Sequence, residues 1–146
     1  MDKMRILLVA GGWSTEREIS LRGAVSIAEA LRARGHDVTL FDLSDGFDKL
    51  LELAGRHDVA FLNLHGQPGE DGLVQALLER AGCPYQGSGP AGSFLALNKA
   101  AGKALFRRAG IRTPDDEFLP VRPGDDWKTS LPFPLFVKSN TGGSSI

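Results

Sequence analysis

The sequence predicts an α/β protein: a doubly wound parallel sheet covered by helices on both faces, followed by the start of a second, α+β domain. Three observations lead there. Short apolar runs at Met4–Ala10, Asp37–Leu43 and Val59–Leu64 alternate with runs of helical periodicity. The connections between them are short, and strands separated by helices in this way pair in parallel. Glycine clusters follow the first and third apolar runs, at strand-to-helix turns where ligands sit in open α/β sheets.

Each element has its own justification. Met4–Ala10 is continuously apolar after Arg5, as a strand buried on both faces should be. Gly11-Gly12 turns the chain, and Thr15 with Glu18 spells a T-x-x-E capping box for a first helix. Leu21, Ala24, Val25, Ala28 and Leu31 give that helix an apolar stripe, and Gly35 lies just past its end. Asp37–Leu43 reads as the second strand, Phe47–Ala54 as a short helix and Val59–Leu64 as the third strand. Leu73–Ala81 is a helix stopped by Gly82 and Pro84, with Asp71 placed to cap its start. A short strand is expected around Tyr85. Beyond it, Phe94–Leu97 and Lys99–Ala109 are helical, with Asn98 as the cap between them. Glu117–Val121 and Leu135–Ser139 are β-prone, and a glycine-rich turn, Thr141–Ser145, closes the sequence. The domain boundary falls between Gly92 and Asn98, giving an N-terminal domain over 1–95 and the beginning of another over 96–146. A lone strand or hairpin is not self-sufficient, so Leu135–Ile146 is expected to need partners outside this sequence.

Bulk properties exclude several classes. With 42% apolar and 24% charged residues among 146, the chain can bury a real core. A net charge of −1 offers no electrostatic case for nucleic acid or an anionic membrane. The apolar run Ile6–Ala10 is too short for a secretory leader, and no stretch reaches the length of a membrane span. The single cysteine, Cys83, has no internal partner and reads as a packed, inert thiol, which suits a reducing cytoplasm.

Chemistry concentrates in four places. Leu64-His65-Gly66-Gln67-Pro68-Gly69-Glu70-Asp71-Gly72 holds one imidazole and two carboxylates at the carboxyl end of a strand. Glu16 stands in the first such turn; a carboxylate there suits the helix dipole and could also bind an amino group. His36 and His57 lie in polar connections and are expected to be solvated. Lys99 opens a helix, where a positive charge opposes the dipole and so suggests a nearby anion. Lys138 precedes the Gly142-Gly143-Ser144-Ser145 loop, whose N–H groups together with a lysine could hold phosphate oxygens. Gly87–Gly92 spells G-x-G-x-x-G, but it follows the fourth strand, contains Pro90 in place of an N–H donor and lacks the downstream acidic residue. It supports dinucleotide binding only weakly, and no Walker A loop is present.

Taken together, Gly11–Leu21 (GGWSTEREISL), His65–Gly72 (HGQPGEDG), Tyr85–Gly89, Asn98-Lys99 and Val137-Lys138 resemble the D-alanine–D-alanine ligase family of ATP-grasp enzymes. The resemblance covers essentially the whole chain. It implies a Rossmann-like domain preceding an ATP-grasp domain, and ATP-dependent joining of two D-alanines for peptidoglycan synthesis through an acyl phosphate. It implies ATP and Mg²⁺ (or Mn²⁺) as cofactors, with metal ligands beyond residue 146. By the same resemblance Glu16 binds the ammonium of the first D-alanine, His65 sits close to that substrate and Glu70 supports the site from behind. Ser144 hydrogen-bonds Glu16, Lys99 and Lys138 contact the nucleotide phosphates, and the backbone of Gly142, Gly143 and Ser145 covers them. Family members commonly form homodimers. Trp13, Asn98, Ser139 and Gly142 depart from the usual residues at their positions. The resemblance further implies that these 146 residues alone do not catalyse ligation. A D-alanine–D-lactate ligase and a non-catalytic nucleotide-binding module are the alternatives.

Overall fold

The computed structural model describes residues 2–142. Strands β1 (Arg5–Ala10), β2 (Asp37–Asp42) and β3 (Val59–Leu62) form a parallel sheet in the order β2-β1-β3. The central strand aligns Ile6 with Val38 on one side and Val59 on the other. Its last five residues are all buried, as the unbroken apolar run requires.

Alternation along β1 divides the core into two layers. Leu7 and Val9 point to one face, joining Phe41, Leu43, Leu50, Val74 and Leu78. That face is covered by α2 (Phe47–Ala54) and α3 (Leu73–Arg80). Ile6, Leu8 and Ala10 point to the other, against Ala24 and Ala28 of α1 (Arg17–Ala33). The doubly wound sheet expected from the sequence is therefore present. Cys83 is packed into the first layer, where burial pushes its thiol pKa up, and it is an inert core residue.

The expected fourth strand shrinks to a single bridge between Ala60 and Tyr85. Ala60 N–H donates to the Pro84 carbonyl at 2.8 Å. The Gln86 side chain then takes over from the main chain, accepting from Leu62 N–H at 2.8 Å and donating to its carbonyl at 2.7 Å. An amide side chain thus satisfies the edge of β3, and no longer ladder is required. Two helices follow: α4 (Pro90–Leu97), which starts earlier than its apolar residues indicate because Pro90 suits the first helical turn, and α5 (Lys99–Arg108). The β-prone segments Glu117–Val121 and Leu135–Ser139 do not form strands. No neighbouring strand pairs with them, and Phe136 and Val137 are 90% and 97% exposed. Asp116 is held against α5 by Lys103 and Arg107. No helix among the described residues is long and apolar enough to cross a membrane.

At the amino end of the sheet, Arg5 and Asp58 clamp β1 to the entry of β3. The Asp58 carboxylate accepts from the Arg5 guanidinium at 2.6 Å and from its backbone N–H at 2.7 Å. The guanidinium hydrogen bond, then the backbone one, lower the Asp58 pKa to about 2. A carboxylate depressed in the folded state stabilises the fold above its unfolded pKa, and that contribution is lost as pH falls through the folded value. Thermal melting across pH 5 to 2 is therefore expected to show a decline that is shallower in D58N, the remainder coming from other depressed carboxylates such as Asp42.

Candidate functional site

The carboxyl ends of β1 and β3 lie side by side, and a buried hydroxyl joins the loops that leave them. Ser20, fully buried in the first turn of α1, accepts from Gly11 N–H at 2.8 Å. Its hydroxyl donates to the Asn63 carbonyl, and Asn63 Nδ2 donates back to the Ser20 carbonyl at 2.7 Å. One side chain pair thus fixes the β1–α1 turn against the end of β3. Replacing Ser20 by alanine strands the Gly11 N–H in the interior, a loss of about 1–3 kcal/mol. Urea denaturation of S20A is expected to show that shift in midpoint.

The loop carrying Glu16 is held from a third side by Asp42, the last residue of β2. Asp42 Oδ1 accepts from Gly12 N–H at 3.1 Å and from Ser44 N–H at 2.9 Å, and Oδ2 is ion-paired with Arg17. Partial burial alone would raise the Asp42 pKa; the Ser44 and Gly12 hydrogen bonds and the Arg17 charge outweigh it and hold the pKa low. Gly11 has φ +71°, and a Cβ there would collide with the Asp42 carboxylate, so the first glycine is required on both counts. Helix α1 starts at Arg17 with Glu16 as its N-cap and no side-chain cap. The T-x-x-E box is therefore not formed. Ser14 acts instead, its hydroxyl accepting from Glu16 N–H at 3.2 Å and its carbonyl from Arg17 N–H at 3.2 Å. The Glu16 side chain is left free of capping duty.

The His65 loop is built just as tightly. Glu70 Oε2 accepts from Gly66 N–H at 2.8 Å, and Glu70 N–H donates to the Gly66 carbonyl at 2.8 Å. Buried Gln75 donates to the Gly69 carbonyl at 2.7 Å, and Asp71 accepts from Leu73 N–H at 3.0 Å. The cap position of α3 itself is Gly72 rather than Asp71. The two loops meet at Gly66: a Cβ there would stand 3.2 Å from Ser14 Cβ and 3.8 Å from Glu16 Oε2. Glu16 and His65, both half-buried, thus belong to one rim of the sheet.

The lysines lie elsewhere. Lys99 and Lys138 both line a cleft of about 1010 Å³ between α5 and the segment 114–140, which Glu16 and His65 do not line. A smaller hollow shares Ala96 with this cleft and Glu70 with the His65 loop. Lys99 Nζ donates to the Gly142 carbonyl at 2.9 Å. The first N–H groups of α5 are already occupied: Lys99 N–H by the Asn140 carbonyl at 3.0 Å, Ala100 N–H by Asn140 Oδ1 at 2.9 Å and Ala101 N–H by Asn98 Oδ1 at 3.0 Å. The helix terminus is thus satisfied by protein groups, and the anion argument for Lys99 rests on its side chain alone. Lys138 is exposed. Gly142 N–H donates to Ser139 Oγ at 2.9 Å; Gly143, Ser144 and Ser145 lie outside the described residues.

His57 is not solvated as expected. It is half-buried, with Nδ1 2.7 Å from the Leu53 carbonyl and Nε2 2.9 Å from Thr39 Oγ1, and so joins α2 to β2. His36 Nδ1 accepts from Met4 N–H at 3.3 Å. The G-x-G-x-x-G letters serve as the approach to α4, where Ser93 N–H donates to the Gly89 carbonyl at 2.9 Å. Ser20, Asp42, Asn63 and Asn140 escape a reading of the sequence because the partners through which they tie separate elements together are 9 or more residues away. Asp42 alone left a signal, an acidic residue ending a strand at the ligand edge. Among the described residues no three His, Cys, Asp or Glu side chains gather as a metal site.

Comparison with known proteins gives this arrangement a family. Residues 46–88 match the family model described as D-ala D-ala ligase N-terminus. The D-alanine–D-alanine ligase of Nitratidesulfovibrio vulgaris strain DP4 is 67% identical over 143 residues, 98% of this chain and 47% of that protein. The ligase of Desulfovibrio desulfuricans is 65% identical over the same shares. Among solved structures, D-alanine–D-alanine ligase from Bacillus anthracis complexed with ATP superposes with a TM-score of 0.74 at 34% identity, covering 84% of this chain and 42% of that one. The chain spans about half the length of the curated relatives it matches. With identity this high across nearly all of its residues, the chain belongs to the D-alanine–D-alanine ligase family, whose N-terminal half it matches.

Proposed function

We propose that this chain provides the N-terminal half of an ATP-dependent enzyme that joins two D-alanines for peptidoglycan synthesis in the cytoplasm. The observation that carries the proposal is the approach of the Glu16 carboxylate to Gly66, which puts Glu16 and His65 at one rim. Residues 1–95 form the domain that binds the first D-alanine, and 96–146 begin the domain that binds ATP.

In this reading Glu16 takes the ammonium of the first D-alanine by charge-assisted hydrogen bonding. His65 faces the same substrate, and Glu70, bonded to Gly66 N–H, keeps the His65 loop in place. Lys99 and Lys138 contact the phosphates in their cleft, and the backbone at Gly142 lies beside Lys99 there. The substrate carboxylate attacks the γ-phosphate of ATP and ADP leaves. The amine of the second D-alanine adds to the resulting acyl phosphate, and the tetrahedral intermediate expels phosphate. Bringing a carboxylate against a polyphosphate requires cations and oriented donors, which is the part these lysines and loops play. Mg²⁺ or Mn²⁺ neutralises phosphate charge in such chemistry. Its ligands are assigned outside the described residues, and no step here runs through it.

The test is a chimaera in which this chain replaces the matching half of the N. vulgaris ligase. ATP- and D-alanine-dependent dipeptide formation is expected, with none from the chain alone. A folded chimaera that hydrolyses or binds ATP yet makes no D-alanyl-D-alanine overturns the proposal.

A further inference from the structure

Asp42 has no place in the chemistry above, yet it gathers more of the Glu16 loop than any other side chain. From the end of β2 it takes the N–H of Gly12, near the start of the loop, and the guanidinium of Arg17, at its end. Glu16 lies between these two anchors. Its own side chain makes no capping bond. Arg17 is the residue next to Glu16, and among the described residues its guanidinium pairs with two carboxylates: Asp42, and Glu18 at 3.7 Å. Glu18 is exposed, with 81% of its side chain accessible, so the pair with it is weak. Asp42 is the partner that holds the guanidinium at the β2 side of the loop.

We infer that Asp42 is a positioning residue for the first D-alanine: by engaging Arg17 it keeps a competing protein cation off the Glu16 carboxylate, leaving that carboxylate for the substrate ammonium. The inference rests on the proposed role of Glu16. Both cations would compete for one acceptor, since a guanidinium and an ammonium each donate charge-assisted hydrogen bonds to a carboxylate. Without the Asp42 charge, Arg17 is one residue away from Glu16 on a flexible stem, at an effective concentration no free amino acid matches. Asp42 touches no substrate in this scheme. It acts through Arg17.

The active chimaera described above carries the test. D42N retains an amide oxygen for the Gly12 N–H and removes the charge that binds Arg17. It is expected to raise KM for the first D-alanine on the order of tenfold, leaving KM for ATP near that of the parent. R17Q alone is expected to leave KM for D-alanine within about threefold of the parent, and R17Q/D42N to return close to R17Q, because the competing cation is gone. A purely structural Asp42 predicts the opposite: a double variant at least as impaired as D42N. Should D42N fold poorly, D42S offers a shorter side chain with an acceptor for Gly12, and the same rescue by R17Q is required. An unchanged KM for D-alanine in folded D42N, or failure of R17Q to rescue it, overturns the inference while leaving the ligase reading intact. A parent chimaera that does not use D-alanine overturns the ligase reading, and this inference with it.

Discussion

Glutamine at position 16 is expected to raise KM for the first D-alanine by about ten- to a hundredfold, because a charge-assisted hydrogen bond contributes about 1.5–3 kcal/mol. The substitution keeps size and shape and removes only the negative charge. Folding should be little affected. Glu16 forms no side-chain cap on α1, and the loop is anchored instead by Ser14, Ser20 and Asp42. Steady-state kinetics in the chimaera over a wide range of D-alanine concentration, fitted with two D-alanine constants, separates the two substrate sites. Thermal melting of the same protein checks that the loss is one of binding. KM for ATP should hold, since Lys99 and Lys138 line a cleft that Glu16 does not reach. An E16Q variant with unchanged use of D-alanine would remove Glu16 from the substrate's ammonium.

Why Glu16 could be singled out at all, while its supports could not, follows from the range over which each signal acts. Strand β1 is legible because every one of Ile6–Ala10 is buried, so no polar residue interrupts it. Helix α2 runs over the residues its pattern marks, Phe47–Ala54, because both its stripe and its ends are local features. The capping box at Thr15 and Glu18 is a local signal that loses to another one: Ser14 reaches the same turn first. Strand pairing is not local. Glu117–Val121 and Leu135–Ser139 have β-prone composition, and composition cannot supply a neighbour. The same holds for polar networks. Nothing around Asn140 announces that it satisfies two N–H groups at the start of α5, 40 or more residues earlier. Lys99 is marked by its conflict with the helix dipole, yet the first N–H groups of α5 are taken up by Asn98 and Asn140. What it meets among the described residues is the carbonyl of Gly142.

Alanine at Gly72 is expected to destabilise the fold by about 3 kcal/mol or more. Two costs combine. Gly72 has φ +93°, a conformation that costs a residue with a Cβ about 1–2 kcal/mol. The added Cβ would also strike the Pro90 carbonyl and lie 3.0 Å from Pro90 Cα. Those are main-chain atoms at the first turn of α4, so no side chain can swing away. Either α4 moves off α3 or the start of α3 gives way, and the overlap costs at least as much as the strain. Gly82 supplies the control. It too has positive φ, +68°, at the end of α3, yet a Cβ there would meet nothing within 4 Å. G82A should therefore show the strain alone, and the difference between the two urea midpoints isolates the collision. The consequence reaches function because Gly72 ends the His65 loop. Its carbonyl accepts the first full helical bond of α3 from Ala76 N–H at 2.9 Å, and the preceding residue, Asp71, holds Leu73 N–H. Moving that joint shifts Glu70 and with it the Gly66 N–H it accepts from. In the chimaera, G72A should lose stability and use of D-alanine together, whereas G82A should lose stability and keep its KM. Equal midpoints for the two variants would mean that α4 yields freely, and the packing of α4 against the loop would then not be what holds the rim in shape.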